Sequence, residues 1–377
     1  TQLGDPRVSA MSNNRLALRA ADGSGDRRIL GDGLDRVVGS PKFTPDGRAL
    51  LFSIGDSGEN HVGRIVIETG EITRPVSGEI SARGFTSSPD GKIATTVSTP
   101  DMPGDVFVLS GEELTRLTHV NDSIMGVIRE AEVENIHFNS PDGTEVEGWV
   151  FFPPGFQEGT RYPTILRIHG GPHGSFGVGW NFEAQLLAAK GYLVLITNPR
   201  GSSGYGKAFQ MGIWQSWGVK DTEDVVAGVD YAIQRGWADP ERLGVGGWSY
   251  GGILTNYVIT STDRFKAASS GAGILDMVLQ WGTEDTPGHV INFVEGLPYT
   301  KLADLNDVQG LKGRYAESGL RMEEGGTFDF RFEFGFGLEF GAEYSMLVGP
   351  DFEGSPPENG VNGTSVSKMF MYPLIFV

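Results

Sequence analysis

The chain has 377 residues, 39% hydrophobic and 21% charged, with a formal net charge of -18 and no cysteine. That acidity argues against nucleic acid or an anionic membrane surface as partner, because both need clustered Lys and Arg. The missing cysteines exclude disulfides, thiolate nucleophiles and Cys-based zinc sites.

A chain without thiols suits either redox state, so the compartment stays open between cytoplasm and periplasm. Thr1 begins inside what reads as folded-domain sequence, with no initiator Met, no apolar leader and no run of 18 apolar residues. A fragment of a longer protein is expected.

Residues 1–128 read as all-β. Pro45-Asp46-Gly47-Arg48 precedes a strand-like 49–54, and Pro89-Asp90-Gly91-Lys92 precedes a strand-like 93–97. Short strands joined by Asp-Gly turns at this repeat length point to propeller blades. A closed propeller takes about four to eight blades. Only two or three fit here, so a partial β-propeller is expected over 1–128.

From 129 onward strands and helices alternate. Residues 132–138 and 145–152 flank an Asp142-Gly143 turn and predict a hairpin. Apolar strands follow at 164–168 and 192–196, with a helix over 182–190 between them. A helix over 221–235 places Val225, Val229, Ala232 and Ile233 on one face. A strand at 243–246, a helix at 253–260 and a strand at 265–269 complete the series. This alternation predicts a parallel sheet covered by helices.

Gly247-Trp248-Ser249-Tyr250-Gly251 fits a Gly-x-Ser-x-Gly nucleophile elbow. Alone the pattern is weak, because glycine makes up 56 of the 377 residues. Its context carries it: a strand enters, a helix leaves, and Gly251 and Gly252 permit close packing. Ser249 is therefore the candidate nucleophile of an α/β-hydrolase domain. The oxyanion formed on attack needs donors. One candidate is the N–H of Tyr250, and the other is the N–H of Gly171 in His169-Gly170-Gly171-Pro172, the loop after strand 164–168. His169 and His173 read as turn residues of that loop. Their HxxxH spacing is no zinc motif, because glycines and a proline replace the helix that would present both rings. Neither cofactor nor metal is expected.

Three motifs in order carry a family resemblance: His169-Gly170-Gly171-Pro172, Asn198-Pro199-Arg200-Gly201-Ser202-Ser203-Gly204-Tyr205-Gly206, and Gly247-Trp248-Ser249-Tyr250-Gly251-Gly252. Trp237-Ala238-Asp239-Pro240-Glu241-Arg242 and Trp281-Gly282-Thr283-Glu284-Asp285 add to it. The segment resembles the catalytic domain of the prolyl oligopeptidase family of serine peptidases, nearest its acylaminoacyl-peptidase and dipeptidyl-aminopeptidase branches. That resemblance implies an N-terminal propeller that limits access, short peptide substrates and an acyl-enzyme on Ser249. It also implies an acid about 80 residues after the serine, then a histidine about 30 further on. Neither is identifiable. The count lands near Asp329, which lacks the expected turn, and the chain has no histidine after His289. His289 stands too close to Ser249 in a Gly-Pro-rich loop. His61, His119 and His137 are given surface or core roles. No acidic pair matches a dipeptidyl-aminopeptidase amine site, since Glu112-Glu113 reads as a solvated turn. Trp248, Trp281 and Tyr205 could line a side-chain pocket or pack the core.

The likeness fades near residue 300, so an incomplete hydrolase domain is expected over 129–300. Over 328–340 every even position is apolar and the odd ones are polar or glycine. This predicts one long two-faced strand, longer than the roughly 9–11 residues that span a membrane in a β-barrel. The tail, 301–377, is accordingly expected to be β-rich and unrelated, barrel-like or chimeric, and only a genuine barrel would bring a membrane partner. Three functions remain open: a serine peptidase crippled by its missing acid and base, an esterase on the same fold, and a barrel fragment. Oligomeric state is unknown.

Overall fold

The computed structural model describes residues 13–274, positions 280, 282 and 283, and the backbone of four short strands in the tail. β1 (Leu16–Leu18) and β2 (Arg28–Leu30) form an antiparallel ribbon. β3 (Val37–Phe43), β4 (Ala49–Asp56), β5 (Glu59–Val66) and β6 (Ile72–Val76) form an antiparallel meander. A second comprises β7 (Ser81–Ser87), β8 (Ile93–Thr99), β9 (Met102–Ser110) and β10 (Glu113–Arg116). A single parallel bridge, Asn60↔Ser81, joins the two.

The same turn opens the second strand of each meander. Thr44 Oγ1 donates to Asp46 Oδ1 at 2.6 Å, and Gly47 N donates to Thr44 O at 2.8 Å. Ser88 Oγ donates to Asp90 in the same way, and Gly91 N donates to Ser88 O at 2.9 Å. Gly47 and Gly91 take φ of +68° and +86°, which glycine adopts without steric cost. Burial explains the apolar run in β4. Leu50, Phe52 and Ile54 pack with Leu16 and Leu30 of the ribbon, whereas Leu51 joins Val62, Val76, Ala82, Phe85, Ile93 and Leu109 between the meanders. A strand covered on both faces loses its polar alternation.

α1 (Asp122–Met125) leads into the second unit. Its strands are β11 (Glu132–Asn139), β12 (Glu145–Phe152), β13 (Tyr162–Ile168), β14 (Leu193–Asn198), β15 (Ala238–Trp248) and β16 (Phe265–Gly271). They lie in the order β11-β12-β14-β13-β15-β16, antiparallel as far as β14 and parallel from there. α2 (Phe182–Ala189) covers one face, with Ala184, Leu187 and Ala188 on Ile165, Val194 and Ile196. α3 (Lys207–Gln210) precedes α4 (Lys220–Gln234) and α5 (Tyr250–Ser261). The last two cover the other face, with Val225, Val229, Leu254 and Val258 on Leu166, Ile168 and Leu195. β15 begins earlier than its apolar core suggests, because pairing shifts between Tyr162↔Ala238 and Thr164↔Leu243 and bulges the intervening loop.

The tail departs from its expectation. β18 (Phe328–Phe330) pairs antiparallel with β19 (Phe340–Ala342), so the chain reverses between them and no single strand spans 328–340. Alternation marks the faces of a strand and not its partner, so it cannot separate one long strand from two short paired ones. β17 (Arg321–Glu324) and β20 (Ser345–Val348) extend the sheet past β16, with β20 antiparallel to β16. The tail thus adds strands to the sheet of the second unit and is not wholly separate from it.

The two units meet through backbone amides of each. Val178 N donates to Gly58 O at 3.0 Å, Ser57 N to Gly204 O at 3.1 Å, and Trp180 N to Ser98 Oγ at 2.9 Å. Gly58, at the tip between β4 and β5, has no room for a side chain, since a Cβ would land on the buried ring of Trp149. This makes a controlled prediction. Gly58 and Gly70 share φ values of +74° and +75°, but a Cβ at Gly70 meets nothing within 4 Å. Gly58→Ala should lose about 1–3 kcal/mol more in urea unfolding than Gly70→Ala. Equal losses would show that the seam does not constrain this tip.

Candidate active site

β15 ends at Trp248, α5 begins at Tyr250, and Ser249 forms the bend between them at φ +57°, ψ -121°. A non-glycine residue held there costs of order 1–3 kcal/mol and persists only where its surroundings enforce it. Ser249 N donates to Gly271 O at 2.9 Å, and Ile253 N donates to Ser249 O at 2.9 Å. The flanking glycines are required by close backbone. A Cβ at Gly247 would sit 2.6 Å from Ile168 O, one at Gly251 2.9 Å from His169 O, and one at Gly252 2.9 Å from Gly273 N. Gly247 and Tyr250 are buried, whereas Trp248 and Ser249 are exposed. The bend therefore presents the serine side chain to solvent.

The loop after β13 lies against this bend. A Cβ at Gly170 would be 3.2 Å from Trp248 O and 3.7 Å from Ser249 Cβ. Gly171 follows at φ +144°, where a Cβ would be 2.6 Å from His173 N. Tyr250 is the first residue of α5, and N–H groups of a first helical turn have no intrahelical acceptor. The histidines hold the loop. His169 places Nδ1 2.8 Å from Gly170 O and Nε2 2.8 Å from Ser202 Oγ. His173 Nδ1 lies 2.9 Å from Gly201 O, and Ser203 N donates to Gly174 O at 3.0 Å. The HxxxH pair thus ties the loop to the 199–203 turn.

Beneath these loops lie buried charges that the sequence reading did not single out. Tyr250 Oη donates to Asp221 Oδ2 at 2.6 Å, both residues being buried. Asp224 accepts four bonds: from Ser140 Oγ at 2.5 Å and from Arg200 N, Nε and Nη2 at 2.8, 2.9 and 2.5 Å. Arg200 Nη1 donates to Asp142 Oδ2 at 2.5 Å. Burial opposes the Arg200 charge, but Asp224 and Asp142 more than offset it and hold the guanidinium above its ordinary value. Burial also lifts the Asp221 carboxyl to about 6, against the opposing bond from Tyr250. Burial drives the His169 imidazole down to about 4. A signal was present. Asp221 falls on the same helical stripe as Val225, Val229 and Ala232, and a carboxylate on an apolar stripe needs a partner.

The other singled-out residues are accounted for differently. Tyr205 Oη donates to Glu147 and accepts from Asn198 Nδ2, which makes it a packing residue. Glu112 and Glu113 are exposed. His61 lies near Glu59 and Gly78, His119 near Asp122, and His137 near Glu145 and Glu147. Among the described residues no histidine or carboxylate bonds to Ser249 Oγ. His289 and Trp281 lie outside the described residues, and Asp329 pairs with Gly341 in the tail hairpin.

Comparison with known proteins gives one direction. Residues 178–308 match the prolyl oligopeptidase family. An uncharacterized peptidase, YuxL, of Bacillus subtilis is 37% identical over 264 residues, covering 68% of this chain and 40% of that protein. Dipeptidyl-peptidase 5 of Porphyromonas gingivalis is 26% identical over 267 residues, covering 70% and 39%. The chain thus spans about two fifths of the length of these relatives. Among solved structures, an acylaminoacyl peptidase in complex with Z-Gly-Gly-Phe-chloromethyl ketone aligns with a TM-score of 0.67 at 29% identity, covering 73% of this chain and 44% of that one. The uncomplexed acylaminoacyl peptidase of Pyrococcus horikoshii gives 0.69 at 27%, covering 78% and 46%. Over residues 178–308 this is a prolyl oligopeptidase family sequence, carried on the fold of the acylaminoacyl peptidases.

Proposed function

We propose that the chain carries the nucleophile half of a serine-type peptidase that hydrolyses short peptides through an acyl-enzyme on Ser249. The strained, solvent-facing bend at Ser249 is the observation that carries this reading, since a bend of this cost has no evident structural use. Tyr250 N–H and Gly171 N–H hold the oxyanion, and Trp248 borders the substrate. The relatives' names and the peptide ketone bound by an acylaminoacyl peptidase support a short peptide as substrate. In this reading 1–128 is a partial propeller whose blades are the two meanders, 129–300 an incomplete hydrolase domain and 301–377 an added β-rich tail.

The chain as it stands turns over poorly. A serine hydroxyl without a base is a weak nucleophile, and losing the histidine of a triad costs several orders of magnitude. Purified chain should show background peptide turnover and slow fluorophosphonate labelling, whereas robust Ser249-dependent turnover would refute the impairment. Added imidazole should supply the missing base and accelerate labelling of the parent chain but not of Ser249→Ala. Labelling that ignores this substitution would remove Ser249 as the nucleophile.

The two buried titrating groups bear on stability with opposite signs. Asp221, raised from 3.8 to about 6, holds its proton more tightly when folded. Its contribution is present below 3.8 and is lost as pH rises toward about 6. His169, lowered from 6.5 to about 4, contributes above 6.5, and that contribution is lost as pH falls toward about 4. Each is worth about 3 kcal/mol, so they offset one another. Asp221→Asn should leave the histidine uncompensated, and urea-unfolding stability should then climb more steeply between about pH 4 and 6.5 than in the parent. Parallel profiles would show that Asp221 does not titrate in this range.

A further inference from the structure

The two oxyanion donors of the proposed site come from separate loops, one after β13 and one at the start of α5. Catalysis by preorganised donors requires both to be held in one frame before substrate arrives. The described residues show where that frame lies. Asp221 and Asp224 sit in the opening of α4, three residues apart and both buried. Asp221 receives the Tyr250 phenol at 2.6 Å. The ring of Tyr250 is further confined by Trp217, with centroids 5.3 Å apart. Asp224 grips the backbone and guanidinium of Arg200, and Arg200 Nη2 also reaches Lys220 O at 3.4 Å. The turn that begins with Arg200 is the one that His169 and His173 grip through Ser202 and Gly201.

We propose that Asp221 and Asp224 are positioning residues that tie both oxyanion donors to one helical turn, Asp221 through the Tyr250 phenol and Asp224 through Arg200 and the 199–203 turn. The proposal rests on the assignment of Tyr250 and Gly171 as donors. Neither carboxylate touches the reacting atoms. Their separation in roles follows from their partners: Asp221 faces the elbow, and Asp224 faces the loop system. Asp224 has all four of its bonds satisfied, so it holds a fixed geometry. Asp221 has the phenol on one oxygen and Thr222 N at 3.1 Å on the other.

Hydrogen–deuterium exchange on the full chain, read by mass spectrometry, tests the two arms separately. Tyr250→Phe removes only the phenol bond, and it should raise exchange over 253–258, where the α5 amides are hydrogen-bonded, roughly tenfold, the scale of a lost bond to a charged group. Asp224→Asn should raise exchange over 169–174 and 199–203 while leaving 253–258 protected. Asp221→Leu should behave as Tyr250→Phe does, and Asp221→Asn, which keeps an oxygen acceptor, should restore protection. The strand at 193–198 is the reference and should not move. Unchanged exchange in both arms, or loosening of the reference strand in step with them, would overturn the proposal. Imidazole-assisted fluorophosphonate labelling should also slow roughly tenfold in Tyr250→Phe and Asp224→Asn. If the parent chain exchanges as expected but Ser249 is never labelled, the positioning frame stands and the nucleophile assignment fails.

Discussion

The bend at Ser249 exists because four backbone segments come closer together than any side chain would permit. The ends of β13 and β15, the first turn of α5 and the loop after β16 all converge there, and each flanking glycine answers one of these contacts. Remove the crowding and the serine would relax from φ +57° to an ordinary conformation. The parallel sheet supplies the crowding. β13, β15 and β16 run in one direction and end together, so the loops that leave them must share a small volume above the sheet. In open sheets of this kind, sites form at the carboxyl ends of strands for this reason.

The polar groups beneath that crowded volume are buried, so they must be satisfied by one another. Asp224, Arg200, Ser140 and Asp142 form a closed network in which the guanidinium donates to two carboxylates and a hydroxyl. A buried pair of this sort adds little net stability compared with apolar residues, but breaking it strands a charge. Its value is therefore geometric. It fixes where the 199–203 turn sits, and through His169 and His173 it fixes the glycine loop.

How much of this could be read in advance follows from how local each signal is. The elbow was legible because its requirements fall within six consecutive residues, 247–252, and the alternation of strands and helices around it is a local property. The glycine loop was legible for the same reason. Asp221 and Asp224 were not singled out, because their meaning comes from Tyr250, 29 positions away from Asp221, and from Arg200, 24 positions from Asp224. The tail shows a different limit. Alternation over 328–340 describes the faces of a strand but does not say where the chain turns, and the pairing of Phe330 with Phe340 is invisible in the pattern.

The Ser/Thr-Pro-Asp-Gly turn occurs three times, and the third copy has been put to another use. At Thr44 and Ser88 the aspartate only folds its own hairpin. At Ser140 the hydroxyl leaves its own turn to reach Asp224, and Asp142 keeps one oxygen on Thr144 N of the turn while the other accepts from Arg200. A four-residue corner held by its own hydrogen bonds delivers a hydroxyl and an acid at a fixed spacing. The machinery around Ser249 thus borrows its outermost anchor from a piece of chain whose shape is set by local bonds, Gly143 N to Ser140 O and Thr144 N to Asp142.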